Sequence, residues 1–229
     1  MARRVRDPHA RQRIVEAAWR LVAARGTASS TMRAVATEAG VSTGSVTHYF
    51  EDKVELMDAV LAYNNEQAAE QVRRAVGQRR GLEAAERATL AILPVDRTRL
   101  GLWQVWLGFW AHEPDAPGGG SGLAEGYRSW TGILREHLSQ AVEDGELATG
   151  IDTKHEASVL ATVVAGTGLL TGSEMVNQKR ARTRARRIVR EQFAALADKN
   201  RTRSRDENPG TAGWSGRERR ENRAADRNS

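Results

Sequence analysis

The chain has no cysteine, so disulfides, thiolate metal sites and cysteine nucleophiles are excluded. It has no apolar run long enough to span a bilayer. The N-terminal stretch MARRVRDPHARQR carries arginines but no apolar segment behind them, so it does not read as a secretory signal. The expected location is the cytoplasm. Proline is scarce, with 5 in 229 residues, which leaves long stretches free to be helical. No internal repeat and no hairpin signal are found. Histidines are few and scattered: His9, His48, His112, His137 and His155 do not fall in a metal spacing such as HExxH. There is no nucleophile elbow and no dinucleotide fingerprint. PDAPGGGSG, residues 114–122, is expected to be a flexible loop, and it has no lysine or threonine in phosphate-loop spacing. An enzyme is therefore not expected, nor a cofactor or a metal.

Charge is plentiful but uneven. The formal net charge is +6. Residues 1–58 hold 9 basic and 7 acidic side chains, residues 59–176 hold 10 and 15, and residues 177–229 hold 16 and 7. The ends are basic and the middle is acidic. Basic ends favour a nucleic-acid partner through counterion release. An acidic middle suits a cationic small ligand, and a merely solvated helical surface would have the same balance.

The segment TMRAVATEAGVSTGSVTHYFEDK, residues 31–53, reads as two short helices joined by a tight turn. A small residue, Ala36, falls where the helices cross. Gly40 follows four residues later, where the chain must leave the first helix with positive φ. Val46 comes six residues after that and points back into a small core with Val35, Ala39 and Val41. Ser42 is placed to cap the second helix. That helix turns Thr43, Gly44, Thr47 and His48 outward as a low polar face, which the floor of a major groove can approach. Thr31, Tyr49 and Lys53 flank it with groups that suit phosphate oxygens. These features predict a DNA-reading helix-turn-helix.

Around it, apolar spacing predicts a first helix over about His9 to Arg25 and a linking helix from Asp52 to about Arg79. Further helices are expected over Leu82–Leu93, Arg97–His112, Leu123–Asp144, Lys154–Asn177 and Thr183–Asp198. The fold class is all-α. Three helices in residues 1–52 precede six more in residues 53–198. A basic tail, residues 199–229, is expected to be disordered. Gly166, Gly168 and Gly172 interrupt the apolar face of the eighth helix, which signals close approach of another backbone.

Tryptophan is the one abundant aromatic, with 6 against 3 each of tyrosine and phenylalanine. Trp103, Trp106 and Trp110 fall on one stripe of the sixth helix, and Val105 and Phe109 on the other side. With Tyr127 and Trp130 they could wall a ligand pocket, and packing in the core is the other role open to them. A quaternary ammonium or a flat cationic aromatic compound would be drawn to such rings. Glu113, Glu125 or Glu174 could supply a counter-charge. Asn64, Asn65, Gln67 and Gln104 could orient a ligand or simply be exposed.

RQRIVEAAWRLVAARG followed by TMRAVATEAGVSTGSVTHYFEDKVEL resembles the N-terminal domain of the TetR family of transcriptional repressors. The resemblance implies a three-helix DNA-binding domain, residues 1–52, and then a six-helix ligand-binding and dimerisation domain, residues 53–198, whose last two helices pair across a dimer axis. The expected mechanism is a homodimeric repressor on a palindromic operator, released by a small effector. It implies DNA contacts at Thr31, Thr43, Gly44, Ser45, Thr47, His48, Tyr49 and Lys53. Thr47 stands where many members carry an aromatic. LPVDRTRLGLWQVWLGFWAHEPD, DGEL and ASVLATVVAGTGLL resemble the BetI-like branch, associated with choline-responsive repression. The competing expectation is a helical ligand-binding or interaction protein without specific DNA binding.

Overall fold

A computed structural model describes residues 9–111, 119–173 and 178–207. Among these the chain forms nine helices and no strand. They are α1 (Ala10–Ser29), α2 (Met32–Ala39), α3 (Thr43–Tyr49), α4 (Lys53–Val76), α5 (Gly81–Ile92), α6 (Arg97–Trp110), α7 (Gly119–Glu143), α8 (Thr153–Ser173) and α9 (Gln178–Glu207). No helix among the described residues is long and apolar enough to cross a membrane.

The helix ends follow local chemistry. Gly26 sits at φ 77° and breaks the last turn of α1. Asp52 caps α4 by accepting from the Glu55 N–H at 2.8 Å, and Glu55 Oε2 accepts from the Glu51 N–H at 2.7 Å. Asp96 caps α6 in the same way, accepting from the Arg99 N–H at 2.9 Å. Arg99 then donates to Leu90 O and Ala91 O, the open carbonyls at the end of α5. Burial opposes ionisation of Asp96, yet the hydrogen bonds from Arg99 prevail and hold its carboxyl below the usual range. At the start of α5, Glu146 accepts from the Leu82 N–H at 2.6 Å. Gly81, at φ 64°, leaves room for that carboxylate.

Two apolar cores result. The first joins Ile14, Ala18, Leu21 and Val22 of α1 to Val35, Ala36, Val46 and Phe50. It also takes Leu56, Met57, Val60 and Leu61 from α4, and Val105 and Phe109 from α6. The second lies among α4, α5, α7, α8 and α9 and includes Trp103. The helix α6 therefore stands between the cores, with Val105 and Phe109 serving one and Trp103 the other.

Three expectations need correction. The last helix does not stop at Asp198: α9 runs to Glu207. Lysine and arginine are good helix formers, and no glycine or proline interrupts residues 199–207. Residues 208–229, the rest of the expected disordered tail, lie outside the described residues. Helix α7 starts at Gly119, inside the 114–122 segment expected to be a loop, and residues 114–118 of that loop lie outside the described residues. On α8, close approach is made by a side chain rather than a backbone. A Cβ on Gly168 would fall 2.0 Å from Trp103 Cζ2, and one on Gly172 would meet Leu107 Cδ1 at 3.4 Å. Gly166 faces open space.

Candidate functional site

The helix-turn-helix is built as its sequence requires. Val35, Ala36 and Val46 are buried, and Ala39 and Val41 pack against them. Gly40 adopts φ 67°, ψ 33°, and its N–H reaches Thr37 O at 3.2 Å while the Val41 N–H reaches Ala36 O at 2.9 Å. This pair of bonds closes α2 and needs a residue that tolerates left-handed backbone. Thr31 caps α2 through the Ala34 N–H at 3.2 Å, and Ser42 caps α3 through the Ser45 N–H at 3.1 Å.

The outer face of α3 is polar. Thr43, Gly44, Thr47 and His48 are exposed, and Ser45 and Tyr49 are half-buried. Ser45 Oγ lies 2.9 Å from Ser42 Oγ. The Thr47 hydroxyl donates to Thr43 O and Gly44 O, both at 3.3 Å, long bonds that an outside acceptor could replace. The His48 and Tyr49 rings meet edge to face at 5.1 Å. Thr31 is exposed at the start of α2. Lys53 has a role the sequence did not suggest: its Nζ donates to Thr27 O at 2.9 Å, tying the start of α4 to the chain just past the break in α1. Two ammonium protons remain for an outside acceptor.

The second site is a cavity of about 390 Å³ among α4, α6, α7 and α8. All five aromatic residues singled out in the sequence line it: Trp103, Trp106, Trp110, Tyr127 and Trp130. Their exposure is graded along α6. Trp103 is buried, Trp106 half-buried and Trp110 47% exposed, so the stripe runs from the core to the surface. Trp103 meets Trp106 and Trp110 edge to face, with centroids 5.4 and 6.4 Å apart. The Trp103 indole donates to Ile92 O at 2.6 Å, which fixes the ring against α5. Ala68, Ala69, Ala161 and Ala165 complete the wall with small apolar groups.

No carboxylate lines this cavity among the described residues. Glu125 is exposed and stands outside it, and Glu113 and Glu174 lie outside the described residues. The four polar candidates separate. Gln104 is exposed and Gln67 half-buried. Asn65 is in the cavity wall and accepts from Trp106 Nε1 at 2.9 Å. Asn64 is fully buried, accepts from Trp19 Nε1 at 2.7 Å and donates to Leu102 O at 3.2 Å. The partner of Trp19 lies 45 positions away, and no local pattern in the sequence announces the pairing. Among the described residues no cluster of three or more metal-binding side chains occurs.

Residues 14–60 match the family of bacterial regulatory proteins, tetR family, and residues 81–198 match the C-terminal domain of BetI-type transcriptional repressors. The HTH-type transcriptional regulator BetI of Pseudomonas fluorescens is 32% identical over 118 residues, 48% of this chain and 58% of that protein. The HTH-type transcriptional regulator PksA of Bacillus subtilis is 27% identical over 113 residues, 49% of this chain and 55% of that protein. The chain thus spans little more than half the length of these relatives. A transcriptional regulator from Saccharomonospora viridis, solved in complex with choline, superposes with a TM-score of 0.69 at 23% identity, covering 80% of this chain and 96% of that one. At that identity the likeness is one of fold. The second match alone covers half of the sequence, and both matched families are of regulators rather than enzymes. The chain belongs to the TetR family of transcriptional regulators, with a C-terminal region of the BetI type.

Proposed function

We propose that this protein is a cytoplasmic, homodimeric DNA-binding repressor that a small effector releases from a palindromic operator. Residues 1–52 form the DNA-binding domain, residues 53–198 bind the effector and the second subunit, and the basic residues from 199 onward add nonspecific DNA affinity. The observation that carries the reading is the outer face of α3, where Thr43, Gly44, Thr47 and His48 are exposed on a helix whose inner side is locked by Val46. Thr43, Ser45, Thr47 and His48 read base edges, and Gly44 admits a close backbone. Thr31, Tyr49 and Lys53 hold phosphates and set the register. Two such helices, about 34–36 Å apart, enter successive major grooves.

The effector occupies the tryptophan-lined cavity. A quaternary ammonium or flat cationic aromatic compound gains about 0.5–2 kcal/mol for each well-placed ring. The choline bound by the Saccharomonospora viridis neighbour supports that chemistry. Release requires tighter binding to the DNA-incompetent state, and a tenfold relief corresponds to about 1.4 kcal/mol of differential affinity.

The test is selection of duplexes from a random pool by the full chain, followed by a thermal-shift screen with choline and benzyltrimethylammonium. Enrichment of a palindrome with half-sites one helical turn apart is expected. A chain that enriches nothing over competitor, yet is stabilised by a probe, would instead be a ligand-binding protein without specific DNA recognition. A melting temperature unmoved by either probe would remove the cationic effector.

A further inference from the structure

Asn64 and Asn65 are adjacent on α4 and tied to different parts of the molecule. Asn65 faces the cavity, accepts from Trp106 Nε1 at 2.9 Å and reaches Gly122 O of α7 at 3.5 Å. Asn64 accepts from Trp19 Nε1 of α1 at 2.7 Å and donates to Leu102 O of α6 at 3.2 Å. An indole N–H can only donate, so each amide oxygen must face its tryptophan and each amide nitrogen must face away. The orientation of both side chains is therefore set by chemistry. They leave the helix about 100° apart on one rigid backbone, so a turn of α4 that relieves one set of bonds displaces the other.

Trp19 is the receiving end. Its ring meets Tyr63 edge to face at 6.2 Å and covers Gly101, where a Cβ would fall 3.2 Å from Cη2. It is thus wedged between α4 and α6. The same helix, α1, buries Ile14, Ala18 and Leu21 in one core with Val35 and Val46 of the helix-turn-helix. Leaving a buried N–H or amide unpaired is costly, so these groups move together rather than part. The sending end is as close-fitting. Gly126 also lines the cavity, and a Cβ there would lie 3.1 Å from Asn65 Nδ2 and 3.3 Å from Oδ1. Matter filling that part of the cavity meets the Asn65 amide first.

We propose that the Asn64–Asn65 pair is the positioning element that converts occupancy of the cavity into displacement of α1 beneath the helix-turn-helix, through the Asn64–Trp19 hydrogen bond. The proposal rests on the reading of the cavity as an effector site and names the residues by which it acts at a distance. The coupling is a free energy shared by two sites and can be read without the natural effector. Gly126→Ala supplies the pressure on Asn65, and Trp19→Phe keeps a ring but removes the donor.

The experiment measures the affinity of the full chain for the duplex it selects, in wild type, Gly126→Ala, Trp19→Phe and the double variant. Gly126→Ala is expected to weaken binding about fivefold or more in the wild-type background, and less than about twofold where Trp19 is phenylalanine. Equal losses in the two backgrounds, or no loss in the first, overturn the proposal. A purely structural role for Trp19 would lower stability yet leave the Gly126→Ala effect intact. A second readout needs no duplex and no Trp19 variant to be active. The Trp19 indole ¹H–¹⁵N signal, identified as the one missing from Trp19→Phe, should shift in Gly126→Ala; an unmoved signal overturns the proposal. If the wild-type chain selects no duplex, DNA reading fails and the indole signal alone decides the coupling.

Discussion

Gly168→Ala is the sharpest perturbation of the cavity wall. The added methyl would sit 2.0 Å from Trp103 Cζ2 and 2.1 Å from Cη2. Carbon atoms in contact stay about 3.5–4.0 Å apart, so the ring must retreat by about 1.5 Å or α8 must move away. Trp103 is 3% exposed and its indole is bonded to Ile92 O at 2.6 Å, so a retreat of that size breaks the bond. Overpacking costs about 1–3 kcal/mol and an unpaired buried donor about 1–3, giving a loss of about 2–6 kcal/mol. For a chain of this size that lowers the melting temperature by about 4 °C or more. The measurement is urea unfolding and thermal melting at one protein concentration, because self-association would shift both. Gly166→Ala is the control on the same helix. Its methyl meets nothing within 4 Å, so alanine should stabilise by up to about 1 kcal/mol. Trp103→Leu should recover much of the Gly168→Ala loss. A Gly168→Ala loss below about 0.5 kcal/mol, or one that Trp103→Leu does not reduce, would refute the packing argument.

Further outcomes follow from the same geometry. Gly40→Ala should cost about 1–2 kcal/mol from backbone strain alone, since φ is 67° and no atom lies near the added methyl; Gly40→Asn should lose less in the same denaturation assay. Asp96→Ala removes the cap of the tryptophan helix and should cost about 0.5–2 kcal/mol at neutral pH. The folded-state pKa of Asp96 is depressed, so its contribution is present above the ordinary carboxyl range and is lost as pH falls through the lowered value. Wild type and Asp96→Ala should therefore draw closer in stability below about pH 4, and a gap independent of pH would contradict the Arg99 pairing. Lys53→Ala should weaken binding to every duplex and reduce the salt slope by about one unit, while also lowering the melting temperature through the lost bond to Thr27 O. A melting temperature that falls with the salt slope unchanged would leave Lys53 a structural tie only. Thr47→Ala and His48→Ala should lower discrimination between selected and random duplexes with little change in stability, as both side chains are exposed.

The helix-turn-helix was legible in the residues alone, because that unit is local. Ala36, Gly40, Ser42 and Val46 act within eleven residues, and cap, turn and core positions agree. The residues also reveal the aromatic stripe of α6, since helical spacing places Trp103, Trp106 and Trp110 on one side regardless of what they face. What they face was decided by tertiary structure. Only when α4, α7 and α8 close around that stripe does it become a cavity wall, with Trp103 laid onto Gly168 and no carboxylate beside it among the described residues. The long-range hydrogen bonds were equally silent. Trp19 pairs with Asn64 and Lys53 with Thr27 across separations of 45 and 26 residues, and neither residue type signals a partner so distant. The difference is one of range. Capping, backbone strain and helical periodicity are settled within a few residues, whereas burial and the pairing of buried polar groups depend on which surfaces the folded chain brings together.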